Sequence, residues 1–391
     1  MMIPTIKTQP IFLSALTAVA MLVLQPSLAS ARTTLQLDNG NVLSFADGSI
    51  DMVTGSGELF DVVMVEYGEE IARADYVRID ATGNFGEVDW FVNELVAENL
   101  EAVEEEFFIG RTELRDIAMG ILASDDVMVD YEQYITPATS VLLENIGMTN
   151  EEALFSVDRV ASLPFTFDML NSGQQIVTNA GFEIDGFTMM PLDGSAAGSD
   201  PMFQKLAERG ITDVGMDLKI ASGVSLGGDS MTMFYGIEAA MRDLTEMRFN
   251  IALSMAQSAY SQLLPMLSSP EENGAALLGL SGAVSLDAAE IVIDDSGLLD
   301  ILFEIAAEEE GVSDGDIRTM ARMVLGSALQ GTFPENAASL LPPIEALISQ
   351  GGELQILAQP GMPVPLSSSI GFMMLPDMAI DQLGVTVTHM P

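Results

Sequence analysis

The sequence predicts an α+β protein, an antiparallel β-meander and a curved sheet with strand–helix modules covering one face. Two observations predict it. Turn signals between residues 33 and 80 are too closely spaced for anything but hairpins, because parallel strands need crossovers of a dozen residues or more. Farther along, stretches of alternating hydrophobicity are followed by stretches with helical spacing.

The meander is read from the runs Thr33–Leu37, Val42–Phe45, Ile50–Val53, Leu59–Glu66 and Ile71–Ile79. Asp38-Asn39-Gly40, Asp47-Gly48, Gly55-Ser56-Gly57 and Tyr67-Gly68 separate them as turns. Residues 87–106 then read as a helix. Trp90, Phe91, Leu95, Val96, Leu100 and Val103 form an apolar stripe opposite Glu94, Glu98, Glu101 and Glu105. In this reading Trp90 is core and Glu104–Glu106 a solvated helix end.

From about residue 107 a strand, a polar stretch and a helix recur. Ile117, Met119 and Ile121 precede a helix over Ser140–Ile146. Phe182, Ile184 and Phe187 to Met189 precede one over Met202–Arg209, and strands at 214–220 and 249–255 lead to Ala259–Leu267. Leu286 to Ile293 precedes two helices. The second has Ser313 as N-cap and Asp316 three residues on, a capping-box spacing. A helix over Glu335–Ser349, interrupted at Pro342-Pro343, stops at Gly351-Gly352. Leu354–Leu357 and the series Leu383, Val385, Val387 and His389 are the last strands. The best loops are residues 194–199 and 268–274, and a domain boundary is placed near 150–175, giving regions 32–170 and 171–391.

Residues 1–31 read as a cleavable secretory signal. Lys7 is the basic start, Ile11 to Leu24 the apolar run, and Ala29-Ser30-Ala31 the cleavage site. That run is shorter than the about 20 apolar residues of a membrane-spanning helix, so export with cleavage is expected rather than anchoring. The chain has no cysteine, which excludes disulfides, thiol nucleophiles and thiolate metal sites, and fits a periplasmic or secreted bacterial protein. A net charge of −44 disfavours nucleic acid and anionic lipid head groups as partners. With 48% hydrophobic residues the chain can collapse into a core.

Catalytic candidates are few. Gly223-Val224-Ser225-Leu226-Gly227 matches the G-x-S-x-G nucleophile elbow, with His389, the one histidine, as the base a serine hydrolase would need. That motif requires a strand before it and a helix after it. Here Gly228-Asp229-Ser230 and the strand-like Met231–Tyr235 follow, so a hairpin is expected. No EF-hand spacing is present. Asp193 to Asp200 has the wrong intervals, and Asp294-Asp295 reads as a chance pair among 58 acids. No phosphate loop occurs, and no cofactor or metal is expected. The 26 methionines crowd the second half, where they suit either ordinary core or an adaptable apolar groove.

Val284–Ile293, then Asp295-Ser296-Gly297-Leu298, a helix ending in Glu309-Glu310-Gly311-Val312-Ser313, helices through Met320–Leu329 and Ile344–Ile348, and Gly352-Glu353-Leu354-Gln355-Ile356 carry a resemblance. Across residues 180–391 the pattern resembles proteobacterial periplasmic proteins similar to the AsmA-like and YdgA-like envelope proteins. The resemblance implies a curved antiparallel sheet with an apolar groove, and a role in envelope lipid homeostasis. It transfers no functional residue, and those proteins are commonly anchored by an N-terminal helix. The expected function is therefore non-enzymatic binding of a lipid or other apolar ligand in the bacterial envelope. A structural or protein-partner role and a Ser225 hydrolase are the alternatives.

Overall fold

The computed structural model describes residues 32–36, 41–51, 53–84, 91–103, 107–117, 140–267 and 282–391. The expected signal sequence, Trp90, Met119, Ile121, Glu104–Glu106 and the loop at 268–274 lie outside them. The chain divides into two compact units, one ending at Ser162 and one beginning at Leu163.

The described strands of the first unit form an antiparallel meander of β1 (Thr33–Gln36), β2 (Val42–Ile50), β3 (Gly57–Glu66), β4 (Glu69–Thr82), β5 (Phe91–Ala102), β6 (Phe107–Ile117), β7 (Ser140–Thr149) and β8 (Ala153–Ser162). Each strand pairs with the next. Tyr67-Gly68, both with positive φ, closes the β3–β4 hairpin in the left-handed conformation that matches strand twist. Asp47-Gly48, expected as a turn, instead lies inside β2. Gly48 has φ +119°, and a Cβ there would sit 2.1 Å from the Glu58 carbonyl oxygen, so the glycine marks a strand irregularity.

The helices expected over 87–106 and 140–146 are the strands β5 and β7. The reason is a line of phase resets crossing the sheet. Asp61, Asn99 and Asn145 have φ near +52°, in the left-handed region that asparagine and aspartate tolerate best. Register places Asp61 opposite Asp75, Asn99 opposite Gly110, and Gly110 opposite Asn145. At this line both strands of a pair step their inward positions by three instead of two. Inward residues of β5 thus run Leu95, Ala97, Leu100, Ala102, and those of β7 run Val141, Leu143, Ile146, Met148. Spacings of two and three average close to a helical period, which imitates an amphipathic helix in a strand.

The second unit contains β9 (Thr166–Met169), β10 (Gln175–Pro191), β11 (Val214–Gly227), β12 (Ser230–Met241), β13 (Thr245–Ala256), β14 (Val284–Asp295), β15 (Gly352–Ala358), β16 (Val364–Pro365) and β17 (Val385–Met390). They pair antiparallel in the order β9-β10-β11-β12-β13-β14-β15-β17, with β16 added to β14. The helices are α1 (Pro201–Glu208), α2 (Gln257–Leu267), α3 (Leu298–Glu310), α4 (Asp314–Thr332), α5 (Ala337–Gln350), α6 (Ser369–Met374) and α7 (Pro376–Leu383).

Leu206 of α1 and Ile301 of α3 bury against Leu244, with Val214 and Met241 of the sheet packed beside them. Ala259 and Tyr260 of α2 pack on Met231, Met233 and Met255. The capping box at Ser313 and Asp316 opens α4. α5 runs through Pro342 and Pro343 without the expected break. Leu383 ends α7 rather than starting the last strand.

These elements correct the predicted α+β class. Strands occupy 54% of the structure and helices 26%, the first unit is helix-free among its described residues, and β10 to β13 follow one another with only short helix α1 between. The protein is mainly antiparallel sheet, not a series of strand–helix modules.

The phase resets make a sharp prediction. Asn145→Gly keeps the left-handed residue and leaves urea stability within about 0.5 kcal/mol, whereas Asn145→Val forces a β-branched side chain there and costs about 1–2 kcal/mol.

Candidate functional site

Because paired residues point to the same side of a sheet, the register of the first unit sorts its two faces. One face is built of apolar rungs. Leu35, Leu43, Met64 and Ala72 form one, and Phe45, Val62 and Ala74 the next. Leu59, Val77, Ala97, Thr112 and Leu143 follow, then Ile79, Leu95, Leu114 and Val141. Leu43 and Leu59 are 1% exposed, and thirteen further strand neighbours on this face make one continuous buried cluster with them. Fully burying each such leucine or valine is worth about 1.5–3 kcal/mol.

The opposite face carries charge. Arg78 pairs with Glu94, Glu94 with Arg115 at 3.3 Å, Arg115 with Glu113 at 2.6 Å, and Glu113 with Arg111 at 3.0 Å. Arg73 pairs with Glu101 alongside. This network crosses β4, β5 and β6 and staples them from the solvent side. A hydrogen bond from Arg111, joined by Arg115, holds the Glu113 carboxyl below the usual carboxylate range against the opposing effect of burial.

Beneath the apolar face lies a cavity of about 40 Å³. Leu43, Val62, Met64, Val77, Leu95 and Leu100 wall it, and Ala72, Ala74 and Ala97 leave the space by being small. The surface exposed to the cavity is entirely carbon. Among the described residues no helix lies over this face. Thr112, 0% exposed, borders the same cavity through its carbon atoms, and its hydroxyl has no hydrogen-bond partner among the described residues. Sequence reasoning missed this site because it read β5 as a helix, which scattered Leu95, Ala97 and Leu100 away from the rungs that hold them. The signal was the shared apolar spacing of β4 and β5.

The second unit has a wider, shallow depression of about 510 Å³ on the sheet face opposite its helices. Gly223, Gly236, Ala252 and Ala288 floor it. Its polar groups are engaged with one another: Asn250 and Gln355 both donate to Glu290, and Asn179 donates to the Pro164 carbonyl.

The catalytic candidates do not meet. Ser225 sits in β11, three residues before the Gly228-Asp229 hairpin turn, in a rung that runs through Thr232 and Ser254 to Ser285 of β14. His389 pairs with Leu354, whose partner is Ile293, roughly 25 Å farther along β14 and on the other face of the sheet. Its Nε2 lies 2.7 Å from the Gly351 carbonyl, where it ties the last strand to the end of α5. A nucleophile and base so placed cannot share a proton.

Two of the suspect aspartates serve helix N-termini, Asp200 as the N-cap of α1 and Asp295 from two residues before the Gly297 N-cap of α3. Asp200 accepts from Met202 N at 2.8 Å, and Asp295 accepts from Leu299 N at 2.9 Å. Among the described residues no group of three or more acidic or histidine side chains converges as a metal site. Of the methionines, Met64, Met231, Met233 and Met255 are buried, while Met362, Met373 and Met374 are over three-quarters exposed.

The ion-pair network has a pH signature. A depressed folded-state pKa contributes stability that is complete above the unfolded value near 4.3 and is lost as pH falls through the folded one. Wild type should therefore exceed Glu113→Gln in urea stability at pH 6, and the gap should close below pH 4.

No curated protein matches this chain. A family model described as "Uncharacterized protein" matches residues 238–390, from within β12 to β17, and that stretch is what the chain shares with the family.

Proposed function

We propose that this chain is a non-enzymatic binding protein of the bacterial envelope that holds an apolar, acyl-chain-like ligand in its N-terminal unit. The observation that carries this reading is the carbon-lined cavity in an apolar sheet face, over which no helix lies among the described residues. Alanines at three cavity-lining positions keep space open where larger side chains would close it, and alanine is a poor strand former, so local propensity does not favour it there.

Other features support the reading. Met64 in the wall suits chains of variable shape. The charge of −44 repels anionic head groups, which directs the choice toward neutral ligands. The resemblance to AsmA-like and YdgA-like proteins points the same way, as does the expected secretory signal.

The test uses a neutral fluorescent probe, N-phenyl-1-naphthylamine, titrated into the full chain. Saturable binding is expected, and Ala97→Val, which fills the cavity with a better strand former, should weaken it at least tenfold without lowering the melting temperature. Binding equally tight in the filled variant would place the ligand elsewhere.

A further inference from the structure

The chain leaves the sheet of the second unit at Ala358 and returns at Val385, two residues that are partners in the β15–β17 ladder. Between them lies an excursion that starts and ends on one rung. Residues 359–376 of it contain no aspartate, glutamate, lysine or arginine, in a chain of which 18% is charged. β16 ties its first part to β14 through Val364 and Pro365, and a turn of 3-10 helix over Leu366–Ser368 leads into α6.

Pro376 shapes the far end. A proline pushes the residue before it out of the helical region, and Leu375 has φ −135° and ψ 76°. Helix α6 therefore stops at Met374, and α7 starts at the proline. The corner so formed exposes four apolar side chains within six residues. Met373 and Met374 are over three-quarters exposed, Leu375 is 57% exposed and Met378 43%. The acids of α7 are engaged with the start of α5 instead. Asp377 accepts from Asn336 N at 3.2 Å and from Asn336 Nδ2 at 3.1 Å, and Asp381 accepts from the same amide at 3.5 Å.

Charge decides what such a corner meets. A second copy of the chain brings another net charge of −44, and like-charge repulsion opposes its approach. A protein partner is held in register by a polar rim and by complementary charges, and residues 359–376 supply no charge. A lipid surface needs neither. Unbranched methionines that project into solvent conform to fluid acyl chains, and a charge-free run brings no carboxylate into the layer. The acidic body of the chain repels anionic head groups, which leaves a neutral surface.

We infer that the α6–α7 corner inserts Met373, Met374 and Leu375 into the surface of a zwitterionic phospholipid bilayer. This docking is independent of the ligand cavity in the first unit.

The experiment is flotation of the full chain at low salt with vesicles of phosphatidylcholine, alone or mixed with phosphatidylglycerol. Wild type should float with the neutral vesicles and less with the anionic ones. Met373→Glu combined with Met374→Glu should weaken flotation by about tenfold or more and leave the melting temperature unchanged, because both side chains already stand in solvent. Met323→Glu, at an exposed methionine of α4, should float as wild type does. Wild type that fails to float with phosphatidylcholine would overturn the inference, as would a double variant that floats equally well. The same loss in Met323→Glu would show that the corner is not the contact. Stronger flotation with phosphatidylglycerol would overturn the choice of a neutral surface. A dimer in sedimentation equilibrium that the double variant abolishes would give the corner to a second copy, and the inference would fall.

Discussion

The structure of the first unit depends on one geometric constraint: every strand that crosses the bend must shift its pleat by the same single step. If one strand failed to do so, its inward residues beyond that point would turn to solvent, because a one-residue slip exchanges the faces of a strand. The cost of holding Asp61, Asn99 and Asn145 left-handed is about 1 kcal/mol each. Burying a single leucine such as Leu59 recovers more than that. Gly110 belongs to the same line for a steric reason, since a Cβ there would fall 2.9 Å from the Cβ of Asn145. The apolar rungs, the charged outer face and the cavity all follow from that coordinated reset.

The two faces divide the work. On the outer face, Arg73, Arg78, Arg111 and Arg115 bridge glutamates of the same and neighbouring strands, where carboxylates would otherwise repel one another across the ladder. On the inner face, alanines at three adjacent positions open a space that larger residues would fill. In the second unit the division differs. Helices α1, α2 and α3 rest on the apolar side of the sheet and close its clusters, so those methionines serve mainly as core.

Much of this was legible in the sequence wherever turns and alternation were regular. The hairpin at Tyr67-Gly68, the strand over 249–255, the cap at Ser313 and the turn after Gly227 all follow from local chemistry that tertiary contacts do not override. The failures share one physical cause. Asn99 and Asn145 break the two-residue period, and a period of two broken by threes cannot be told from a helix by pattern alone. The same blindness hid the cavity, because Ala97 and Thr112 become neighbours only through β5–β6 pairing. Glycine at 48 misled in the opposite sense, signalling a turn where it serves a close strand contact. Ser225 and His389 show the limit of motif reading: the spacing was permitted, and the register of the sheet keeps the two apart.

The central claim is that the first unit holds a neutral, acyl-chain-like ligand at its apolar face. Native mass spectrometry of the full chain purified from its own host, followed by organic extraction, tests it most directly. The account predicts one ligand per chain, and an extract containing a neutral acyl compound in matching amount. A bare protein mass with an empty extract would contradict it, as would a stoichiometric ligand that is ionic and water-soluble.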